Sequence, residues 1–455
     1  MNPAAPAEVL LRLLLPEAAR GSWWWLFHRR APLPEAVYDA MVAHPDTDVR
    51  VHLAEGWYVP AAQRARLVDD PSARVRAFLA AGPQPFREPV EDLPAAVYER
   101  LAADPVARVR SAVAGESPIG AGLRETLAAD PVAEVRAAAI SAWPDPPEAV
   151  VERLLADGDE GVRRAAMPKA CGRNPDFSDL LLEGPMLVRA KAIDDGMLHP
   201  ATAELLAADD GEWTRAAVAA NPSLPEHLVE RLAADPSRHV RLAVSMRPEL
   251  SESRRMAVDV RVRPFDRLHS PGWVVRGFAD PELMRACAAS AHIGLRRAAA
   301  CSPHLPSDVA AALAADADPV VRLLLCENHP DVPGELLLST FLEARVVTRG
   351  ALLRKASFPR AGLAARFGGS PDPEEAMLAL LDPEVPDAVV DRLSRDEDAG
   401  VRGAAAAHAG LGVERALELL GDPDAEVATA AASNPGVPVA VMHRLLDEAG
   451  VPGMG

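Results

Sequence analysis

Asp104-Pro105-Val106-Ala107-Arg108-Val109-Arg110-Ser111-Ala112-Val113-Ala114 returns 26 residues later as Asp130-Pro131-Val132-Ala133-Glu134-Val135-Arg136-Ala137-Ala138-Ala139-Ile140. The same phase carries Arg76, Arg110, Arg136, Arg163, Arg189, Arg215, Arg241, Arg296, Arg322, Arg349 and Arg402, mostly in steps of 26 or 27 residues. Almost all of these arginines follow a small apolar residue, and many stand six residues after an Asp. Self-similarity at this period marks a solenoid, whose units bury their apolar faces only against their neighbours.

Each unit carries two start signals. The first is an apolar residue before Pro, as in Leu93-Pro94, Leu224-Pro225, Leu305-Pro306 and Val437-Pro438. Proline suits the first helical position because the N–H it lacks is unpaired there. Apolar residues then recur every four residues, as in Leu224, Leu228 and Leu232, which is one helical stripe. The second signal is Asp-Pro, read as a cap followed by a helix opener. The segment after it buries the residue before the Arg and those three and four after it, such as Val109, Val113 and Ala114. It stops at a Pro or Gly, as at Asn221-Pro222 and Asn434-Pro435. A repeat is therefore two short helices joined by a tight turn.

The Asp and Arg of one block do not face each other. Six residues at 100° each place them 240° apart around the helix, unlike an i,i+4 pair. The Arg is expected to reach the Asp of an adjacent unit instead. Repeated at Asp70, Asp104, Asp130, Asp157, Asp209, Asp235, Asp316 and Asp396, this makes a ladder in which guanidinium forks grip carboxylates.

Composition limits the functional classes. The net charge is -18 over 455 residues, which argues against phosphate backbones and anionic membranes as partners. Lys169, Lys191 and Lys355 are the only lysines. Cys171, Cys287, Cys301 and Cys326 lack the spacing of a disulfide framework, and a reduced cytoplasmic setting fits them. The Leu10–Leu15 run, broken by Arg12, is too short for a membrane span and lacks the basic leader of a signal peptide.

Units such as Val218-Ala219-Ala220-Asn221-Pro222-Ser223-Leu224-Pro225, continuing to Leu232-Ala233-Ala234-Asp235-Pro236 and Val240-Arg241, closely resemble the leucine-rich repeat variant family. The Asp–Arg phase also resembles short bacterial HEAT-like repeats. The resemblance implies a right-handed superhelix of alternating α and 3₁₀ helices over most of residues 30 to 450. It says almost nothing of activity. One branch of the family binds an iron–sulfur cluster through N-terminal cysteines, and this chain has no Cys before Cys171.

Several constellations invite chemistry. Cys301-Ser302-Pro303-His304 and Cys326-Glu327-Asn328-His329 form two C-x-x-H pairs 25 residues apart, a zinc-type ligand set. The two histidines stand at unlike offsets from the next Pro, and both cysteines fall at core positions, so no metal is expected. Trp23, Trp24 and Trp25 read as a cap for the first repeat, or as an anchor for a partner. There is no phosphate-binding Gly loop, nucleophile elbow or H-E-x-x-H, so no catalytic residue and no cofactor is assigned. Six residues after the ladder Arg, residue type varies freely. Glu116, Asn221, Arg247, Asn328 and His408 stand there, with His329, Trp57 and Trp143 one residue further. Such a stripe reads as a recognition edge or as a set of tolerant loop positions.

The chain is thus expected to be all-α, an α-solenoid of about fifteen short two-helix repeats. Residues 1–30 are expected to cap it, 31–259 and 269–455 to form its halves, and 260–268 to be a loop insertion. The expected function is a non-enzymatic scaffold that binds a protein or peptide through its concave face and variable loop edge. The alternative is a HEAT-like protein acting on nucleic acid, of the DNA glycosylase type.

Overall fold

The structure is a computed structural model that describes residues 2–14, 33–83, 90–182, 190, 192–194, 196–263, 266, 268–344 and 347–451. Among them every regular element is a helix. Helices Glu226–Ala233 and Arg238–Ser245 show one repeat. Pro225 stands just outside the first helix, one residue earlier than the sequence suggests, and its carbonyl accepts from Leu228 N at 2.9 Å and Val229 N at 3.2 Å. The first helix buries Leu228, Val229 and Leu232; the second buries Val240 and Val244. They share one core with Leu206, Val218, Ala219 and Leu224 from neighbouring layers. Each fully buried Leu or Val contributes about 1.5–3 kcal/mol. Small Ala side chains let successive second helices stack closely.

Asp280, Asp318 and Asp372 cap helices that open on the following Pro, as expected, but in the ladder blocks at Asp104, Asp130 and Asp235 the Asp-Pro signal works differently. Helix Ala107–Glu116 begins three residues after Asp104, with Val106 outside it as the cap residue. Asp104 accepts the N–H of Val106 at 2.8 Å, Asp130 that of Val132 at 2.8 Å, and Asp235 that of Ser237 at 2.7 Å. The Asp therefore makes the turn, as Asx side chains do, and its remaining lone pairs are free for the ladder.

The ladder itself joins neighbouring units. Arg110 Nε and Nη2 donate to both oxygens of Asp130, at 2.7 and 3.0 Å. Its Nη1 donates to the backbone carbonyl of its own Asp104 at 2.8 Å. The same fork joins Arg76 to Asp104, Arg136 to Asp157, Arg215 to Asp235, Arg296 to Asp316 and Arg402 to Asp422. Arg50 and Asp70 add an earlier rung. In the Arg110–Asp130 rung the side chains are only 13% and 7% exposed. Burial alone would raise the Asp130 carboxyl. The Arg110 hydrogen bond, the Val132 N–H and the charges of Arg110 and Arg136 outweigh it and hold the carboxyl below its ordinary value.

A double-mutant cycle measures this arrangement. Asp130→Ala and Arg110→Ala are each expected to cost about 1–3 kcal/mol, since each leaves a partly buried partner unpaired. They should couple more strongly than Asp130→Ala with Arg136→Ala, because Arg136 holds only the backbone carbonyl of Asp130. The reverse ranking in urea unfolding would remove the inter-unit ladder.

Contacts divide the chain into two compact units: Met1–Ala165 together with Arg360–Gly455, and Ala166–Pro359. Within the second, the period breaks after Arg241. The described residues 258–263, 266 and 268–271 belong to no helix, and helix Gly272–Arg276 has only five residues. Arg241 Nε donates to the backbone carbonyl of Asp259 at 2.7 Å, where the other rungs donate to a carboxylate. The alternation of α and 3₁₀ helices implied by the resemblance is replaced by α-helices. Pro175–Leu182 and Val347–Arg354 are the 3₁₀ exceptions among the described residues. Trp23, Trp24 and Trp25 lie outside the described residues.

Candidate interaction surface

Six residues after the ladder Arg, the second helix has just ended. Its last carbonyls have no partner within the helix. Side chains from the next repeat supply the missing donors. Asn221 Nδ2 donates to Ile193 O and, at 2.7 Å, to Gly196 O. Arg247 Nη1 donates to Ala219 O at 2.7 Å and Asn221 O at 2.6 Å. Asn434 Nδ2 reaches Ala406 O and His408 O, both at 2.8 Å. Lys355 Nζ reaches His329 O at 3.2 Å, and Ser302 Oγ reaches Phe278 O at 3.3 Å. Ser117, one residue further on, donates to Ala80 O at 2.7 Å. These residues form a second stitch between repeats, on the opposite end of the helix from the ladder. Asn, Arg, Lys and Ser share nothing but an N–H or O–H of suitable reach, so the position varies in type while its task stays constant.

The variable stripe is therefore divided. Asn221 and Arg247 are buried at 0% and 1% exposure. Trp143 is buried at the end of helix Ala133–Ala142. His329 is buried, its Nδ1 accepting from Asp331 N at 3.3 Å. His408 is half-buried and accepts from Gly410 N at 3.0 Å. Trp57, Glu116 and Asn328 remain exposed. Trp57, Glu116, Trp143 and His408 belong to one compact unit, and Asn221, Arg247, Asn328 and His329 to the other.

The two C-x-x-H pairs do not converge. Cys326 is buried with its Sγ 3.6 Å from Thr340 Oγ1, while His304 is exposed. Among the described residues no group of three or more His, Cys, Asp or Glu is placed to hold a metal ion. Burial pushes the Cys171 and Cys287 thiols up to about 11, so both stay protonated near neutral pH. That makes them poor nucleophiles.

One surface feature escaped the sequence reading. Trp213 is 58% exposed and stacks on His239, with ring centroids 4.7 Å apart and planes tilted by 34°. The two residues each stand two before a ladder Arg, one period apart. Glu212 accepts from Ser237 Oγ and lies 3.6 Å from His239 Nδ1, which ties the two repeats together beneath the ring pair. Other repeats fill this register with Arg74, Arg108, Glu134, Gly161, Gly294, Val320 or Gly400. An indole among these small or charged residues is the available signal. A cleft of about 180 Å³ opens in the same unit where the period breaks, lined by Asp194, Met246, His269, Trp273 and Arg276 among others. Trp273 Nε1 donates to Met246 O at 3.1 Å, which fixes its ring as a wall.

The helix pair beside Trp213 carries the family's pattern. Residues 212–237 match the leucine rich repeat variant family. The matched stretch is one full period, from the start of helix Glu212–Ala220 through helix Glu226–Ala233 to Ser237. This leucine rich repeat variant unit contains Asn221 of the stitch, Arg215 and Asp235 of the ladder, and Trp213. No curated protein matches the chain. Among the described residues no helix is long and apolar enough to cross a membrane.

Proposed function

We propose that the chain is a non-enzymatic, cytoplasmic interaction scaffold that binds a protein or peptide through residues its stitches leave exposed. The observation that carries this reading is the open indole of Trp213 on His239. Trp is enriched in binding hot spots, and here it stands 58% exposed on the first turn of its helix. Repeat arrays present extended surfaces along which moderate contacts add up. Asn328 extends the proposal along the loop edge of the same unit, and Trp57 and Glu116 are exposed on the loop edge of the other. The net charge of -18 favours a partner with basic segments and disfavours the HEAT-like nucleic-acid alternative.

The test uses a partner captured by the full chain, then purified for direct titration. Trp213→Ala is expected to weaken binding at least ten-fold without changing the melting temperature, and Trp57→Ala to weaken it less. Unchanged affinity for both variants would remove the proposed surface. Tight duplex DNA binding at physiological salt, with a steep log–log salt slope, would establish the nucleic-acid reading instead.

A further inference from the structure

Asn2-Pro3-Ala4-Ala5-Pro6 has the pattern of Asn434-Pro435-Gly436-Val437-Pro438 and of Asn221-Pro222-Ser223-Leu224-Pro225. Those two stretches open the first helix of a repeat, and helix Ala7–Arg12 follows Pro6 in the same way. The hydrogen bonds match as well. Arg247 grips the carbonyls of Ala219 and Asn221, 28 and 26 residues before it, and Asn434 grips those of Ala406 and His408 at the same two offsets. Asn2 Nδ2 donates to Asn434 O at 2.6 Å and lies 3.5 Å from Ala432 O. Its Oδ1 accepts from Ala4 N at 2.8 Å, as Asn434 Oδ1 accepts from Gly436 N at 2.8 Å. Asn2 is the rung that would come after Asn434.

The helix that follows is locked on both sides. Arg12 is 2% exposed; it donates to His443 O at 3.1 Å, to Asp447 Oδ1 at 2.6 Å and to Val451 O. Its Nη1 is 3.0 Å from His443 Nδ1. On the other side Leu14 O pairs with His44 Nε2 at 2.7 Å. Val9, Leu10 and Leu14 are buried. The segment thus lies between helix Val439–Glu448 and the layer of helices Glu35–Val42 and Thr47–Ala54, all in one compact unit.

We infer that residues 2–14 are a latch, a half-repeat that continues the stack from residues 425–451 into residues 33–54 and undocks as one piece. Two features give it this character. Its polar grip on residues 425–451 is concentrated in two side chains, Asn2 and Arg12, and on residues 33–54 it rests on Leu14 O with His44 Nε2. The carbonyls they hold belong to residues 432–451, whose helices make their own backbone hydrogen bonds, so undocking leaves that repeat folded. Opening would bare the apolar faces beneath Val9 and Leu10 at both repeats and change what this part of the scaffold can bind.

The experiment is amide hydrogen exchange on the full chain, comparing wild type with the double variant Asn2→Asp and Arg12→Met. A carboxylate is acceptor-only and is repelled by the Ala432 and Asn434 carbonyls. Exchange in helices Ala425–Ala432, Val439–Glu448 and Glu35–Val42 is expected to speed up at least ten-fold, with helices Ala107–Glu116 and Ala133–Ala142 unchanged. Asp447→Asn is a milder variant, because it keeps the carbonyl bonds of Arg12. It should accelerate the same three helices a few-fold, and it decides the matter should the double variant not fold. Acceleration spread evenly over residues 95–142, or none in residues 425–451, would overturn the latch.

Discussion

Arg247→Ala is expected to destabilise the unit Ala166–Pro359 by about 3–5 kcal/mol, the range for removing one side of a buried polar network. The Arg247 side chain is wholly buried. Removing it leaves the carbonyls of Ala219 and Asn221 without their donor, in a site too enclosed for water to replace it freely. Glu249, which receives the Arg247 Nε–H, loses its partner at the same time. A cavity the size of a long side chain adds to the loss. Arg247→Lys should recover a large part, since Lys355 Nζ performs the same task on His329 O. Urea unfolding of the full chain, with the transition of this unit followed separately, measures both. A loss under about 1 kcal/mol for the Ala variant would make the position a tolerant loop site, as one reading of the sequence has it.

The ladder and the stitch show what a sequence exposes and what it hides. The ladder was legible because one task is met by one residue type: only Arg can fork a carboxylate and still reach a carbonyl, so it recurs as Arg. The helical offset of 240° then excluded pairing within a unit, and Arg110 with Asp130 follows. Val49-Arg50 has the same form, and Arg50 grips Asp70, so the ladder starts one unit before Arg76. The stitch was hidden because its task, donating to orphan carbonyls, is met by Asn, Arg, Lys or Ser. Variation in type looks like freedom from constraint, yet Asn221 and Arg247 are buried and not on the expected recognition edge. Trp213 is hard to read from sequence because it stands before the Arg, on the first turn of its helix, at a register that other repeats fill with residues as unlike as Arg108 and Gly294. The match of Asn2-Pro3 to Asn434-Pro435 was readable in the sequence. Its meaning required the fold, since nothing local says that residue 2 is the neighbour of residue 434.

Acidification should weaken the unit Ala166–Pro359 well before the ladder carboxylates titrate, and His292 is the reason. This residue fills the cap of helix Ile293–Ala300, where the repeats at Asp318, Asp398 and Asp424 use Asp. Its Nδ1 accepts from Gly294 N at 3.1 Å, which leaves the Nε2–H to face Ser245 Oγ at 3.0 Å. The ring is 6% exposed. Burial, with the charges of Arg255 and Arg296 outweighing that of Glu252, lowers its pKa from 6.5 to about 4. Between those values the unfolded chain binds a proton that the folded chain refuses, so stability falls as pH falls through this window. At about 1.4 kcal/mol per pH unit, the full window is worth about 3 kcal/mol. Below about pH 4 both states carry the proton and this loss stops. The ladder acid Asp235, held below its ordinary value of 3.8, then begins its own decline as pH drops further. His292→Asn keeps a capping acceptor and removes the titration. Its unfolding free energy should be lower than wild type at pH 7 and nearly flat between pH 6.5 and 4.5, where wild type falls by about 2–3 kcal/mol. Equal slopes for the two proteins across that interval would place the acid sensitivity elsewhere.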